Sequence, residues 1–134
     1  MNSSEQTRSF IEDLFGSISQ EGFSDRFKDA LHDNLKWTAT GSSPVGGVYT
    51  SKEDYLNRCL SPLFARLATP VNATVERILV DNEWATVLFR SEGVTGKNGA
   101  DFSMSYCWII RVVDKRIVEV VGFYDQKKVW DVFA

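Results

Sequence analysis

The segment "GFYD", Gly122 to Asp125, sets a phenol beside a carboxylate at the end of a strand-like run. Either group could move a proton. A carboxyl held in an apolar cavity has a raised pKa, and a phenol can donate to an oxygen on a bound molecule. Side chains alternate along a strand, so one of the two points inward, and Tyr124 is favoured over Asp125. Trp37 shares the apolar face of "LKWTA" with Leu35 and Ala39, where its indole N–H could orient a ligand oxygen. Tyr106 and Trp108 share a stripe with Phe102, Met104 and Ile110, which lines either a cavity or a sheet-to-sheet dimer surface. Arg90 lies on the face of Thr86 and Leu88, and an arginine turned into a cavity could hold a carboxylate or enolate. Tyr55, at a cavity mouth, and Asn72, after Pro70, complete the set. Tyr124 and Asp125 are thus the candidate catalytic pair. Trp37, Tyr55, Asn72, Arg90, Tyr106 and Trp108 are the candidate binding residues.

Other chemistries lack their residues. The loop "GSSPVGGVYTSK" has no lysine directly after its glycine pair, so it is no phosphate-binding P-loop. The chain has one histidine, His32, and two distant cysteines, Cys59 and Cys107, which gives no zinc spacing and no Ser-His-Asp or Cys-His arrangement. Neither a zinc site nor a nucleotide site is expected from these residues. The net charge of −3 gives no support to nucleic-acid binding. No apolar run approaches the roughly 18 residues of a membrane span, and no secretion signal is read at the N-terminus. A cytoplasmic protein with free thiols is the expectation.

Positioning these side chains takes one domain over residues 1–134, with 43% hydrophobic residues to build its core. Phe10, Leu14, Phe15 and Ile18 recur at helical spacing over 4–20. A short helix capped by Ser24 follows, then the strand "NLKWTAT". After the glycine-rich loop, Tyr49 is expected to start a helix, with Ser51 as a cap and Pro62 as a kink or restart. From Pro70 on the pattern is strands. Two join at Asp81-Asn82-Glu83 and two, running from Phe102, join at Asp114-Lys115. A turn between the pairs takes positive φ at Gly96, Asn98 and Gly99. The tail "QKKVWDVFA" keeps Val129, Trp130 and Phe133 and is expected to pack. Segregated helices and strands indicate an α+β fold.

Four stretches carry a resemblance. They are "SQEGFSDRFKDALHDNLKW", "GSSPVGGVYTSKEDYL", "YCWIIRVVDKRIVEVVGFYD" and "KKVWDVF". In this order and spacing the chain resembles the SnoaL-like branch of the ketosteroid isomerase-like, or nuclear transport factor-like, superfamily. The resemblance implies a cone-shaped half-barrel, a curved antiparallel sheet packed on about three N-terminal helices. It implies a homodimer and cofactor-independent work on a small polyketide-, terpenoid- or steroid-like molecule, as an isomerase, cyclase, dehydratase or hydrolase. A non-catalytic binding module of the same fold is the alternative. Three family mechanisms lack their residues here. Trp37-Thr38-Ala39 stands where isomerases carry an Asp. Val121-Gly122 stands where epoxide hydrolases carry one. The histidines of scytalone dehydratase are reduced to His32.

Overall fold

The computed structural model describes residues 3–134. Helix α1, Ser3–Glu21, buries Thr7, Ile11, Leu14, Phe15 and Ile18, which fall three or four apart on one stripe. Helix α2 is Asp25–Ala30. Ser24 stands at its N-cap position, but its side chain makes no capping bond there.

Strand β1, Leu31–Ala39, starts directly after α2, earlier than its polar segment His32-Asp33-Asn34 suggests. Its register against the last strand slips between Leu31 and Lys36. Such an irregularity bends a strand and re-aims the side chains beyond it. The glycine-rich loop then returns as β2, Gly47–Tyr49, antiparallel to β1 with Trp37 opposite Tyr49. Tyr49 therefore ends a strand rather than starting a helix. Three residues are too few to show a period, and here pairing with β1 decides their conformation. The helix begins after Ser51, whose hydroxyl accepts from the Asp54 amide at 3.0 Å. It runs as α3, Lys52–Tyr55, widens to a π-helical segment, Leu56–Leu60, and resumes as α4, Ser61–Ala65. Pro62 lies in the first turn of α4, where its missing N–H costs nothing, so it marks the expected restart.

The remaining strands are β3 (Thr74–Asp81), β4 (Trp84–Arg90), β5 (Ser105–Val113) and β6 (Arg116–Phe123). The six form one sheet in the order β2-β1-β6-β5-β4-β3. Neighbours are antiparallel except β1 and β6, which run parallel. The whole intervening chain connects that pair, which gives the length a parallel crossover needs. Asp114 and Lys115 turn β5 into β6 with φ of 49° and 59°, the consecutive left-handed pair that suits strand twist. Strand β5 begins at Ser105, later than expected, because Phe102 instead donates its amide to Val94 O, at 2.8 Å. Of the three residues expected at positive φ in the preceding turn, Gly99 alone has it, at 86°. Helix α5, Gln126–Phe133, closes the chain and buries Val129 and Val132, so the tail packs as expected.

The sheet is curved and open. Helix α1 packs along β3 and β4, α2 along β1, and α3 along β1 and β2. Phe89, Tyr106, Trp108, Ile110 and Trp37 are buried on the inner side, while Leu79, Leu88 and Phe123 are exposed on the outer. The stripe from Phe102 to Ile110 is therefore core, not outer surface. No described helix is long and apolar enough to cross a membrane.

Candidate functional site

A cavity lies between the concave sheet and the segment 55–64. Its volume is about 50 Å³. The lining side chains thus stand close together. Phe23, Leu60, Leu63, Phe64, Val71 and Phe102 supply much of the apolar wall. The polar atoms come from Ser43, Tyr55, Cys59, Tyr106, Trp108 and Tyr124, none of them a carboxylate, an imidazole or a cation.

Tyr124 follows β6, whose inward residues are Val120 and Gly122. The phenol folds back over Gly122. A Cβ built there would collide with the Tyr124 hydroxyl and stand 2.7 Å from Cζ. A missing side chain thus makes room for the ring. Tyr124 Oη accepts from Trp37 Nε1 at 3.1 Å. Burial, with a smaller contribution from Cys59, raises its pKa well above the usual phenol range, so it stays protonated through neutral pH. The Trp108 indole lies near enough to oppose that rise, but its N–H lacks hydrogen-bond geometry.

Trp37 is fully buried and backs the cavity rather than lining it. Tyr55 stacks on it, with centroids 4.0 Å apart and planes at 16°. Trp108 meets it edge-on at 4.9 Å and 85°. Each such pair adds about 0.5–1.5 kcal/mol beyond the area buried. Tyr106 stacks on Phe89 at 4.6 Å and shares a 3.4 Å hydrogen bond with the buried Ser91 hydroxyl. Burial pushes the Tyr106 phenol up to about 12 and raises Tyr55 well above the usual range.

Tyr124, Tyr55, Tyr106 and Trp108 thus meet at the cavity, with Trp37 behind them. The other three candidates stand elsewhere. Asp125 is exposed and caps α5, where its carboxylate accepts from the Lys128 amide at 3.2 Å. It leaves the strand direction just where the helix needs an acceptor. Arg90 points outward and pairs with Glu92 at 2.8 Å and Glu76 at 3.8 Å. Asn72 is exposed and ties its loop to the backbone of Glu92 through both ends of its amide.

Sequence reasoning did not assign Ser91, Cys59, Val45 or Gly122 to the site. Val45 O accepts from Tyr49 Oη at 2.7 Å and receives Cys59 Sγ at 3.9 Å, tying the glycine-rich loop to the π-helical segment. Burial pushes the Cys59 thiol up to about 12. A glycine inside a strand pattern often marks close approach, which was the available signal for Gly122.

The fold has solved neighbours. An NTF2-like protein of Burkholderia thailandensis superposes with a TM-score of 0.77 at 16% identity, covering 100% of this chain and 99% of that one. An NTF2-like protein of unknown function from Burkholderia pseudomallei gives 0.76 at 16%, with 98% of each chain covered. A Kribbella flavida protein provisionally named a ketosteroid isomerase gives 0.63 at 22%, covering 93% of this chain and 82% of that one. At these identities the likeness shows the fold, the cone-shaped α+β architecture, and no activity. A comparison with curated proteins gives no match. The family model described as a SnoaL-like domain matches residues 10–120, which span β1, most of the cavity wall and the first part of β6, and the chain belongs to that family.

Proposed function

We propose that the domain takes a compact, largely apolar organic molecule, polyketide- or terpenoid-like in chemistry, into this cavity. There it isomerises, cyclises or dehydrates the molecule with its own neutral polar groups. The aromatic cavity with the Tyr124 hydroxyl set into its wall carries this reading. Apolar walls with a few placed polar groups are the usual build of a small-molecule site. The narrow free space favours small rings over a steroid skeleton. The isomerase name of the Kribbella flavida neighbour supports the reading at the level of fold.

Tyr124 takes the proton-donating role. With its pKa raised, it holds its proton and acts as a donor to an oxygen that gains charge, not as a base. Trp37 holds the phenol in place, while Tyr55, Tyr106 and Trp108 orient the molecule. One observation favours a second reading, binding without conversion: no lining residue is a carboxylate or imidazole able to take up a proton near neutral pH.

A thermal-shift screen of small cyclic ketones, enones and alcohols, followed by mass spectrometry and NMR of the recovered compound, separates the two. Conversion lost in Tyr124→Phe with binding retained supports catalysis. Conversion unchanged in that variant removes Tyr124 from the mechanism. Binding with recovery of the unaltered compound supports the second reading.

A further inference from the structure

A benzene ring needs a protein cavity of about 150 Å³, and this one measures about 50 Å³. A wall must therefore move before any ring enters. Most of the lining is tied down. Ala39, Tyr106 and Trp108 lie on paired strands. Tyr55 stacks on Trp37. Val71 lies in a stretch fastened by a 2.8 Å bond from Ser19 Oγ to Ala73 O and by the two bonds between Asn72 and Glu92. Val129 lies on α5, whose two ends are capped by Asp125 and Asn98.

The exception is the stretch 41–46 of the glycine-rich loop, which brings Ser43 and Val45 to the wall. Among the described residues its one backbone–backbone bond is internal, from Gly46 N to Ser43 O at 2.9 Å. Gly41, Ser42 and Pro44 are exposed. Gly41 and Gly47 bracket the stretch at φ of 89° and 148°, values that glycine takes freely and other residues avoid. Between them, Val45 carries the only hydrogen bonds to the rest of the described chain. Its carbonyl accepts from Tyr49 Oη at 2.7 Å and from Cys59 Sγ at 3.9 Å. Tyr49 is itself pinned on β2, opposite Trp37. A segment with exposed backbone and a single point of attachment is the kind that opens locally while the rest stays folded.

We propose that Gly41–Gly47 is a flap, hinged at its two end glycines and held down by Tyr49 through the Val45 carbonyl, and that its lifting gives the cavity room for a ring. This rests on the reading that the cavity binds a small organic molecule, and it adds how such a molecule gets in. Tyr49 is a positioning residue: it does not line the cavity, and it acts through Val45. The ring binds the lifted state, so its apparent affinity is scaled by the fraction of molecules already open. Loosening the flap should therefore tighten binding.

The test uses the full chain and two measurements. Cys59 lines the cavity and is 6% exposed, so iodoacetamide reaches it only when a wall opens, and Cys107 on the outer face is the reference. On the unsubstituted chain the Cys59 labelling rate should stay flat in low urea, as for a local opening that exposes little surface. Tyr49→Phe takes the hydroxyl donor from the Val45 carbonyl and should speed Cys59 about fivefold, the factor that one net hydrogen bond carries, with Cys107 unchanged. The acidity of Cys59 works against that rise, because the Tyr49 hydroxyl lowers the thiol pKa and its loss raises it. Ser19→Ala, which unties the stretch around Val71 instead, should leave Cys59 unchanged. Benzene, followed by NMR of the chain labelled with nitrogen-15, should bind Tyr49→Phe about fivefold tighter. A hydrogen bond with a merely structural role would give equal or weaker binding on its removal.

A Cys59 rate that climbs with urea as steeply as global unfolding, or that Tyr49→Phe leaves unchanged, would overturn the flap. The urea comparison stands even where that variant fails to fold. Faster labelling in Ser19→Ala would move the opening to the stretch around Val71 and overturn the flap too. Benzene bound equally or more weakly by Tyr49→Phe would overturn its part in entry. No benzene binding by either chain, with Cys59 faster in Tyr49→Phe, would support the flap and refute the reading of the cavity as a ligand site.

Discussion

Trp37 and Tyr124 stand 87 residues apart in the chain and meet through a 3.1 Å hydrogen bond from indole to phenol. One lies on β1, the other just beyond β6, and the parallel pairing of those strands sets Trp37 opposite Val120 and Ala39 opposite Gly122. The polar heart of the cavity thus depends on the sheet's longest-range pairing. Trp37→Phe keeps much of the stacking on Tyr55 but removes the donor. We expect a loss of about 1–2 kcal/mol by urea denaturation, and a loosened Tyr124 ring by NMR. An unchanged Tyr124 environment would show that the bond does not position the phenol.

Gly122→Ala forces a Cβ against the Tyr124 ring. Overpacking of this kind costs about 1–3 kcal/mol. Because Cζ as well as the hydroxyl is in the way, Tyr124→Phe should not rescue the variant, whereas Tyr124→Ala should. A double-mutant cycle between Gly122→Ala and Tyr124→Ala should return a coupling of about 1 kcal/mol or more. Additive effects would mean that the ring does not rest on Gly122.

The buried phenols predict a stability profile at high pH. Tyr106 is pushed up to about 12 by burial, while the same phenol in the unfolded chain ionises near pH 10. The folded pKa is the higher one, so the unfolded chain sheds its proton first as pH rises. The stabilisation is complete below pH 10 or so and is lost between about 10 and 12, at about 1.4 kcal/mol per pH unit for each such group. Urea midpoints across this range should fall less steeply for Tyr106→Phe than for the unsubstituted chain. Parallel slopes would contradict the burial of that hydroxyl.

Asp125 is a cap in this structure. Asp125→Ala should cost about 1 kcal/mol of thermal stability and Asp125→Asn less, because asparagine also caps. Both should leave binding in the cavity unchanged. Abolition of binding or turnover by Asp125→Asn, with the fold intact, would bring the carboxylate back to the site.

The two thiols should separate by reactivity. Cys59 is buried with its pKa pushed up to about 12, and Cys107 is half-buried on the outer strand face. A thiol reagent should modify Cys107 about tenfold or more faster. A bound ligand should slow Cys59 alone, because only Cys59 lines the cavity. Equal protection of both would place the ligand elsewhere.

The sequence legibly encoded what repeats. The stripe of Phe102, Met104, Tyr106, Trp108 and Ile110 marked a strand face, and the apolar spacing in α1 marked its buried side. Which way the strand face pointed was not legible, because period two is the same for core and outer surface. Alternation shows only that one of Tyr124 and Asp125 points inward. Asp125, Arg90 and Asn72 stand outside the site for reasons invisible in one dimension: a helix start that needs an acceptor, acidic partners in Glu76 of β3 and Glu92 just beyond β4, and a loop that needs tying. Strand β2 escaped because its conformation is imposed by a partner. The unmet N–H of Trp108 is a property of three-dimensional neighbours and has no signature along the chain.

Gly122 has a further consequence. The volume a side chain would claim at this position is filled by a ring from two residues downstream. The identity of the polar group at this spot is therefore decided by a competition between positions 122 and 124. Any side chain larger than hydrogen at Gly122 would force the phenol to move. Position 122 thus decides whether the Tyr124 ring can occupy its place against Trp37 at all.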